Sequence, residues 1–208
     1  NIDESIQLIN RISDRCLVLA ETNSHSFQYM KHVKPVDKAF IGIIECGPLD
    51  ARELQEAIRL RHRSSGLILR YKEREESQIA GYIWARLFSD YFDYSKGNIG
   101  TALQAWVSNI NRYVSETIHI SAPVKPDLFA LDLVQEEWKV WLCQFIVHKH
   151  LSVERLGRLF QVEDVVVTSM VQNLLRSGLV IENKSGLLKL NPYLRLFITQ
   201  KFSDLERI

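Results

Sequence analysis

The sequence predicts a mostly α-helical chain with small β elements, in three parts: a parallel α/β remnant over 1–47, a small helical unit over 48–122, and a C-terminal domain over 123–208. Three observations carry this. Two short apolar runs near the N-terminus flank one helix's length of chain. A helix-start signal follows them at once, and a proline-rich break precedes three amphipathic segments and a hairpin.

The chain has 208 residues, enough for one large or two small domains. Apolar residues make up 46% and charged residues 25%, which excludes a disordered tail or a fibrous repeat. With 26 basic and 25 acidic side chains the net charge is +1, so any nucleic-acid binding has to be local. Cys16, Cys46 and Cys143 lie far apart with no C-x-x-C pair, against both a disulfide framework and a thiolate zinc site. A reducing cytoplasm is the expected location. No apolar run approaches the ~20 residues that span a bilayer, so no membrane partner is expected. The chain opens on Asn1 and not Met, and is expected to be the C-terminal portion of something longer.

Ile2, Ile6, Ile9 and Ile12 recur at helical intervals, and this first helix is expected to pack on a sheet. The runs 16–20 (Cys-Leu-Val-Leu-Ala) and 40–44 (Phe-Ile-Gly-Ile-Ile) suit buried strands, and their separation suits a parallel crossover. Gly47-Pro48 breaks the chain. Asp50 and Glu53 then make a capping box, with Leu49 and Leu54 as its hydrophobic staple, and the helix should stop near Ser64-Ser65-Gly66. An apolar run at 67–69 precedes the charged stretch 72–76, which reads as a solvated helix entry or loop. Ile79, Ile83, Leu87, Phe88 and Tyr91 mark the next helix, and Ala102, Leu103, Trp106, Val107 and Ile110 the one after Gly97-Asn98.

Pro123 and Pro126 place a boundary. Beyond it, one helix buries Val134, Trp138, Trp141, Leu142 and Phe145, a second runs over 152–160, and a third over 164–177, ended by Gly178. The runs 179–181 and 187–190 flank Asn183-Lys184-Ser185-Gly186 as a hairpin. Asn191 and Pro192 open a last helix with Leu194, Phe197, Ile198 and Phe202 inward. Three helices, a hairpin and a helix make a winged-helix pattern.

Catalytic motifs are scarce. There is no G-x-x-x-x-G-K-[ST], no G-x-G-x-x-G after a strand, no H-E-x-x-H and no G-x-S-x-G, so the chain is not expected to hydrolyse nucleotides by itself. Of the six histidines only His148 and His150 are close. An i, i+2 pair points to different sides of a helix and no third ligand is near, so no metal site is expected. Asn23, just past the first apolar run, stands where open parallel sheets place ligand-contacting residues, and equally where a helix cap belongs. Arg61 and Arg63 suit phosphate or carboxylate binding, or complement the dipole of their helix.

On the third C-terminal helix Thr168, Ser169, Gln172, Asn173 and Arg176 share one face, and Val166, Val167, Met170, Val171, Leu174 and Leu175 the other. Gln and Asn pair with adenine edges, while Lys184 and Lys189 on the hairpin, with Lys149, Arg155 and Arg158, offer phosphate contacts. Residues 123–208 carry 11 basic against 10 acidic side chains. Double-stranded DNA and a protein partner therefore both stand as readings.

The run from Cys16 to Asn23 resembles the strand that ends in the sensor-1 polar residue of AAA+ ATPases, in the branch of origin-recognition-type initiators and related prokaryotic proteins. The stretch from Phe40 to Leu54, with Ile58 and Arg61, resembles the last core strand leading into the helical lid of that family. Gly97-Asn98-Ile99-Gly100-Thr101-Ala102-Leu103 is similar to its sensor-2 turn, and a winged helix after the lid matches the order such initiators use. The resemblance implies that Asn23 orients the attacking water, that Arg61 or Arg63 replaces the lid cation whose usual position falls on Gly100, and that the intact protein binds ATP and Mg. No cofactor is expected in this chain alone. No arginine lies between Ser24 and Lys38, where the family places its finger, although Lys31 and Lys34 do. The implied function is coupling of nucleotide state to DNA or partner binding. The alternative is a non-enzymatic winged-helix adaptor that binds protein. Self-association through a truncated sheet edge over 16–44 is a further expectation.

Overall fold

A computed structural model describes residues 2–127 and 136–204. The described residues are mostly helical, with two small sheets among them. The chain divides into two units. One combines the residues up to Glu45 with the described residues from 136 to Asn191 and from Ile198 onward; the other holds the described residues from Cys46 to 127 together with Pro192–Phe197. No helix among the described residues is long and apolar enough to cross a membrane.

The N-terminal segment contains α1 (Ile2–Ile12), α2 (Ser24–Val33) and a 3-10 turn at Val36–Ala39. The expected strands at 16–20 and 40–44 do not form: both runs are irregular. A strand needs a neighbour to take its backbone hydrogen bonds. The connecting helix α2 packs elsewhere, with Asn23 and Ser26 both bonded to the carbonyl of Val147. Leu17 and Leu19 are consequently each 85% exposed, and Ile44 is 90% exposed. With no strand at 16–44 there is no paired edge there either. Nor does α1 lie on a sheet; it buries no residue, and Asp3 pairs with Lys34 at 3.1 Å.

In the second unit, α3 (Ala51–Arg63) starts with the capping box in place: the Asp50 carboxylate accepts from Glu53 N at 2.8 Å, and the Glu53 carboxylate accepts from Asp50 N at 2.9 Å. The apolar run 67–69 lies at β1 (Ile68–Tyr71), and the charged stretch 72–76, expected as a helix entry or loop, instead contributes β2 (Arg74–Glu75). Helices α4 (Gly81–Ser95) and α5 (Ile99–Ser108) follow, then β3 (Ile110–Val114) and β4 (Thr117–Ile120). The four strands form one sheet in the order β2-β1-β4-β3, with β1 and β4 parallel and the outer pairs antiparallel. This sheet replaces the expected purely helical character of the region.

Both hairpins of the sheet have two-residue turns, Lys72-Glu73 and Ser115-Glu116, with positive φ at all four positions, which matches the right-handed twist of the flanking strands. Leu69, Tyr71, Ile118 and Ile120 turn one face of the sheet into a core shared with Leu54 and Ile58 of α3, Trp84, Leu87, Phe88 and Tyr91 of α4, and Trp106 of α5. Phe88 stacks between Trp84 and Trp106, with ring centroids 5.4 and 6.1 Å apart. The Tyr91 hydroxyl donates to the Ser121 carbonyl at 2.9 Å, and burial pushes that phenol upward.

The remaining elements are α6 (Glu136–His148), α7 (Val153–Phe160), α8 (Asp164–Arg176), the antiparallel hairpin β5 (Val180–Glu182) and β6 (Leu188–Leu190), and α9 (Pro192–Asp204). Leu151 adds a short antiparallel pairing to Leu188, with bonds of 3.0 and 2.8 Å. Trp141, Leu142, Phe145 and Ile146 of α6 are buried, and Trp141 stacks on Phe160 at 4.2 Å. Val134, expected in the first of these helices, lies outside the described residues.

Gly97 is the position where only glycine fits. Its φ is +79, and an added Cβ would overlap the Leu49 carbonyl oxygen and sit 2.9 Å from Pro48 Cβ. Gly97→Ala is expected to cost about 1–3 kcal/mol of stability. Gly81→Ala, at an open helix start with nothing within 4 Å, is expected to add up to about 1 kcal/mol. Urea unfolding midpoints of the two variants check the contrast.

Candidate functional site

The α8 surface follows from the packing of its other side. Val167, Met170, Val171 and Leu174 are buried at spacings of three and four, which leaves Thr168, Ser169, Gln172, Asn173 and Arg176 exposed together. Val166 does not join the buried set as expected. It and Val165 lie in the first turn, before the helix meets the core, and both are exposed, Val165 at 77%. With Leu159 and Val162 they leave an apolar patch at the α7–α8 corner.

The hairpin tip is shaped by Asn183, whose side-chain oxygen accepts from Ser185 N and Leu187 N, each at 2.9 Å, with Gly186 at φ +74. Lys184 is exposed at this tip and Lys189 is half-buried on β6. Arg155 and Arg158 are exposed on α7, Arg158 held 3.2 Å from Glu154.

The three residues assigned to nucleotide fall in two units, Asn23 in the first and Arg61 and Arg63 in the second. Asn23 is the N-cap of α2: its oxygen accepts from Ser26 N at 2.7 Å, and its amide nitrogen donates to Val147 O at 3.3 Å. Both ends of the side chain are thus committed to structure. Arg61 and Arg63 belong to the other unit, both exposed in the last turn of α3 and two positions apart, so they diverge. Lys31 lies over the Phe27 ring at 5.8 Å, and Lys34 is paired with Asp3. No step through a nucleotide is derived from these residues, since both ends of the Asn23 side chain are already hydrogen-bonded. Among the described residues no three of His, Cys, Asp and Glu are grouped to hold a metal ion.

Sequence reasoning passed over His62, which lies between the two arginines. It follows Leu54 and Ile58 at intervals of four, so it shares their face, and that spacing was the available signal. The ring is 7% exposed, tilted against Trp106 at 6.0 Å, with Glu76 3.6 Å away. Arg59, one turn before Arg63 on the same helix, stacks over Trp84 at 5.6 Å. Burial holds the His62 imidazole below the ordinary 6.5; Glu76 opposes this and Arg63 assists it. Burial, with Arg155, likewise lowers His148 at the end of α6.

A folded-state value below the unfolded one means that the unfolded chain takes up the proton more readily. The stability contributed by neutral His62 is therefore complete above about 6.5, and is lost as pH falls from there through the lower folded-state value. His148 acts with the same sign. His62→Gln is expected to shrink the fall in urea midpoint between about pH 7.5 and pH 5, which denaturation at the two pH values measures. Comparisons of the chain with protein-family models, with curated proteins and with solved structures gave no match.

Proposed function

We propose that this chain is the helical lid and winged helix of an AAA+-like ATPase, and that the winged helix binds double-stranded DNA through α8 and the hairpin tip. The observation that carries the DNA reading is the outward face of α8. Four uncharged polar side chains able to read base edges, Thr168, Ser169, Gln172 and Asn173, are exposed side by side with the cation Arg176. Lys184 and Lys189 on the hairpin, and Arg155 and Arg158 on α7, supply phosphate contacts that fix register without reading sequence.

The lid reading is supported by the order of elements. A capped helix follows the Gly47-Pro48 break, and the turn at Gly97-Asn98, with Asn98 accepting from Thr101 N at 2.9 Å, leads into α5. The phosphate-binding motifs of such an ATPase are not in this sequence. DNA binding is the part of this reading that rests on the chain's own residues.

A second reading, a non-enzymatic adaptor that binds protein, is favoured by the apolar corner of Leu159, Val162, Val165 and Val166. Salt separates the two. Duplex binding should weaken with a log-log slope of about one per phosphate contacted, and Arg176→Ala and Lys184→Ala should each reduce that slope by about one. Gln172→Ala should cost about 1–3 kcal/mol on the preferred sequence only. A mobility-shift titration at two salt concentrations measures these effects; absence of any shift at low salt removes DNA and leaves the adaptor.

A further inference from the structure

We infer that the open face of the four-stranded sheet is a binding site for a small phosphate-bearing anion, held by Arg70, His119 and Arg112. The strand register sets these three in one row: Arg70 of β1 is opposite His119 of β4, and His119 is opposite Arg112 of β3. Since Leu69, Tyr71, Ile118 and Ile120 face the core, the alternation of a strand turns Arg70 and His119 to the other side. Strands lie about 4.8 Å apart, so two guanidinium-bearing positions stand about 10 Å apart with an imidazole between them.

The row lies in an open groove of about 540 Å³. This volume is within the roughly 300–1,000 Å³ of small-molecule sites. Because β1 and β4 are parallel, the turn after β1 and the turn before β4 bound the groove at opposite ends, Lys72 contributing at one and Ser115 at the other. Arg70 and Arg112 are like charges two strands apart. Glu75 stands 3.4 Å from the Arg70 guanidinium, while among the described residues Arg112 forms no ion pair. Arg70 Nε is buried and has no acceptor.

An anion with several oxygens disposed tetrahedrally meets donors arriving from both sides of the row, whereas a lone carboxylate is satisfied by one guanidinium fork. Glu73, in the turn beside Lys72, and Glu75, opposite Arg70, also line the groove. A long polyanion threading past them would meet like charge, so the occupant is a small phosphate compound and not a nucleic-acid strand. The site shares no residue with the α8 face and does not depend on the DNA reading.

The test is titration of the 208-residue chain with pyrophosphate, followed by amide chemical shifts and calorimetry, with a single-stranded oligonucleotide as the second arm. Saturable binding is expected, with shifts centred on β1, β3 and β4. Arg112→Gln and His119→Gln should each weaken it by about tenfold, and Glu75→Gln, which frees Arg70, should strengthen it. Arg112 is exposed on an edge strand, so its variant stays interpretable if His119→Gln fails to fold. Arg176→Ala should leave pyrophosphate binding unchanged, which keeps this outcome separate from that of the DNA assay. No saturable effect up to about 10 mM overturns the proposal. So does indifference to Arg112→Gln, or an oligonucleotide that occupies the groove more tightly than pyrophosphate does.

Discussion

The alternation of side chains along β1 and β4 is the constraint on which the second unit depends. Leu69 and Tyr71 on one strand, and Ile118 and Ile120 on the other, supply the apolar floor on which α3, α4 and α5 close. A one-residue slip in either strand would send that floor to solvent and bring Arg70 or His119 into the core. The same register that secures the core therefore aligns Arg70, His119 and Arg112 outside. Here a stabilising interaction and a candidate binding surface are two faces of one pairing.

The α8 surface has the same origin in a helical period. Burying Val167, Met170, Val171 and Leu174 leaves no choice about where Gln172, Asn173 and Arg176 point. His62 shows the reverse case, a polar ring carried inward by the period it shares with Leu54 and Ile58, where burial makes it a stability element sensitive to acid. In both helices spacing decides position first, and residue chemistry then decides the consequence.

The N-terminal segment lacks such a second constraint. Its aliphatic runs have strand composition, but a strand is a relation between two segments, and among the described residues neither run is offered a partner. Asn23 illustrates the result. The position reads equally as a cap and as a reactive-site polar residue, and here its amide is used for the cap of α2 and for the carbonyl of Val147.

What the sequence determined by itself was local: the capping box at Asp50, the spans of α3, α7 and α8, the presence of α4 and α5 though not their ends, since Ile79 and Ile110 fall outside them, the hairpin around Asn183, and the polar face of α8. Each rests on periodicity or capping chemistry within a dozen residues, so the signal and the structure have the same range. What only the tertiary structure decided was pairing. The four-stranded sheet was missed because Ile68–Tyr71 and Thr117–Ile120 each alternate over only four residues, too few to stand out, and their parallel contact joins positions about fifty residues apart. The runs at 16–20 and 40–44 misled for the converse reason, since apolar β-branched composition marks a segment able to pair without supplying the neighbour that makes it a strand.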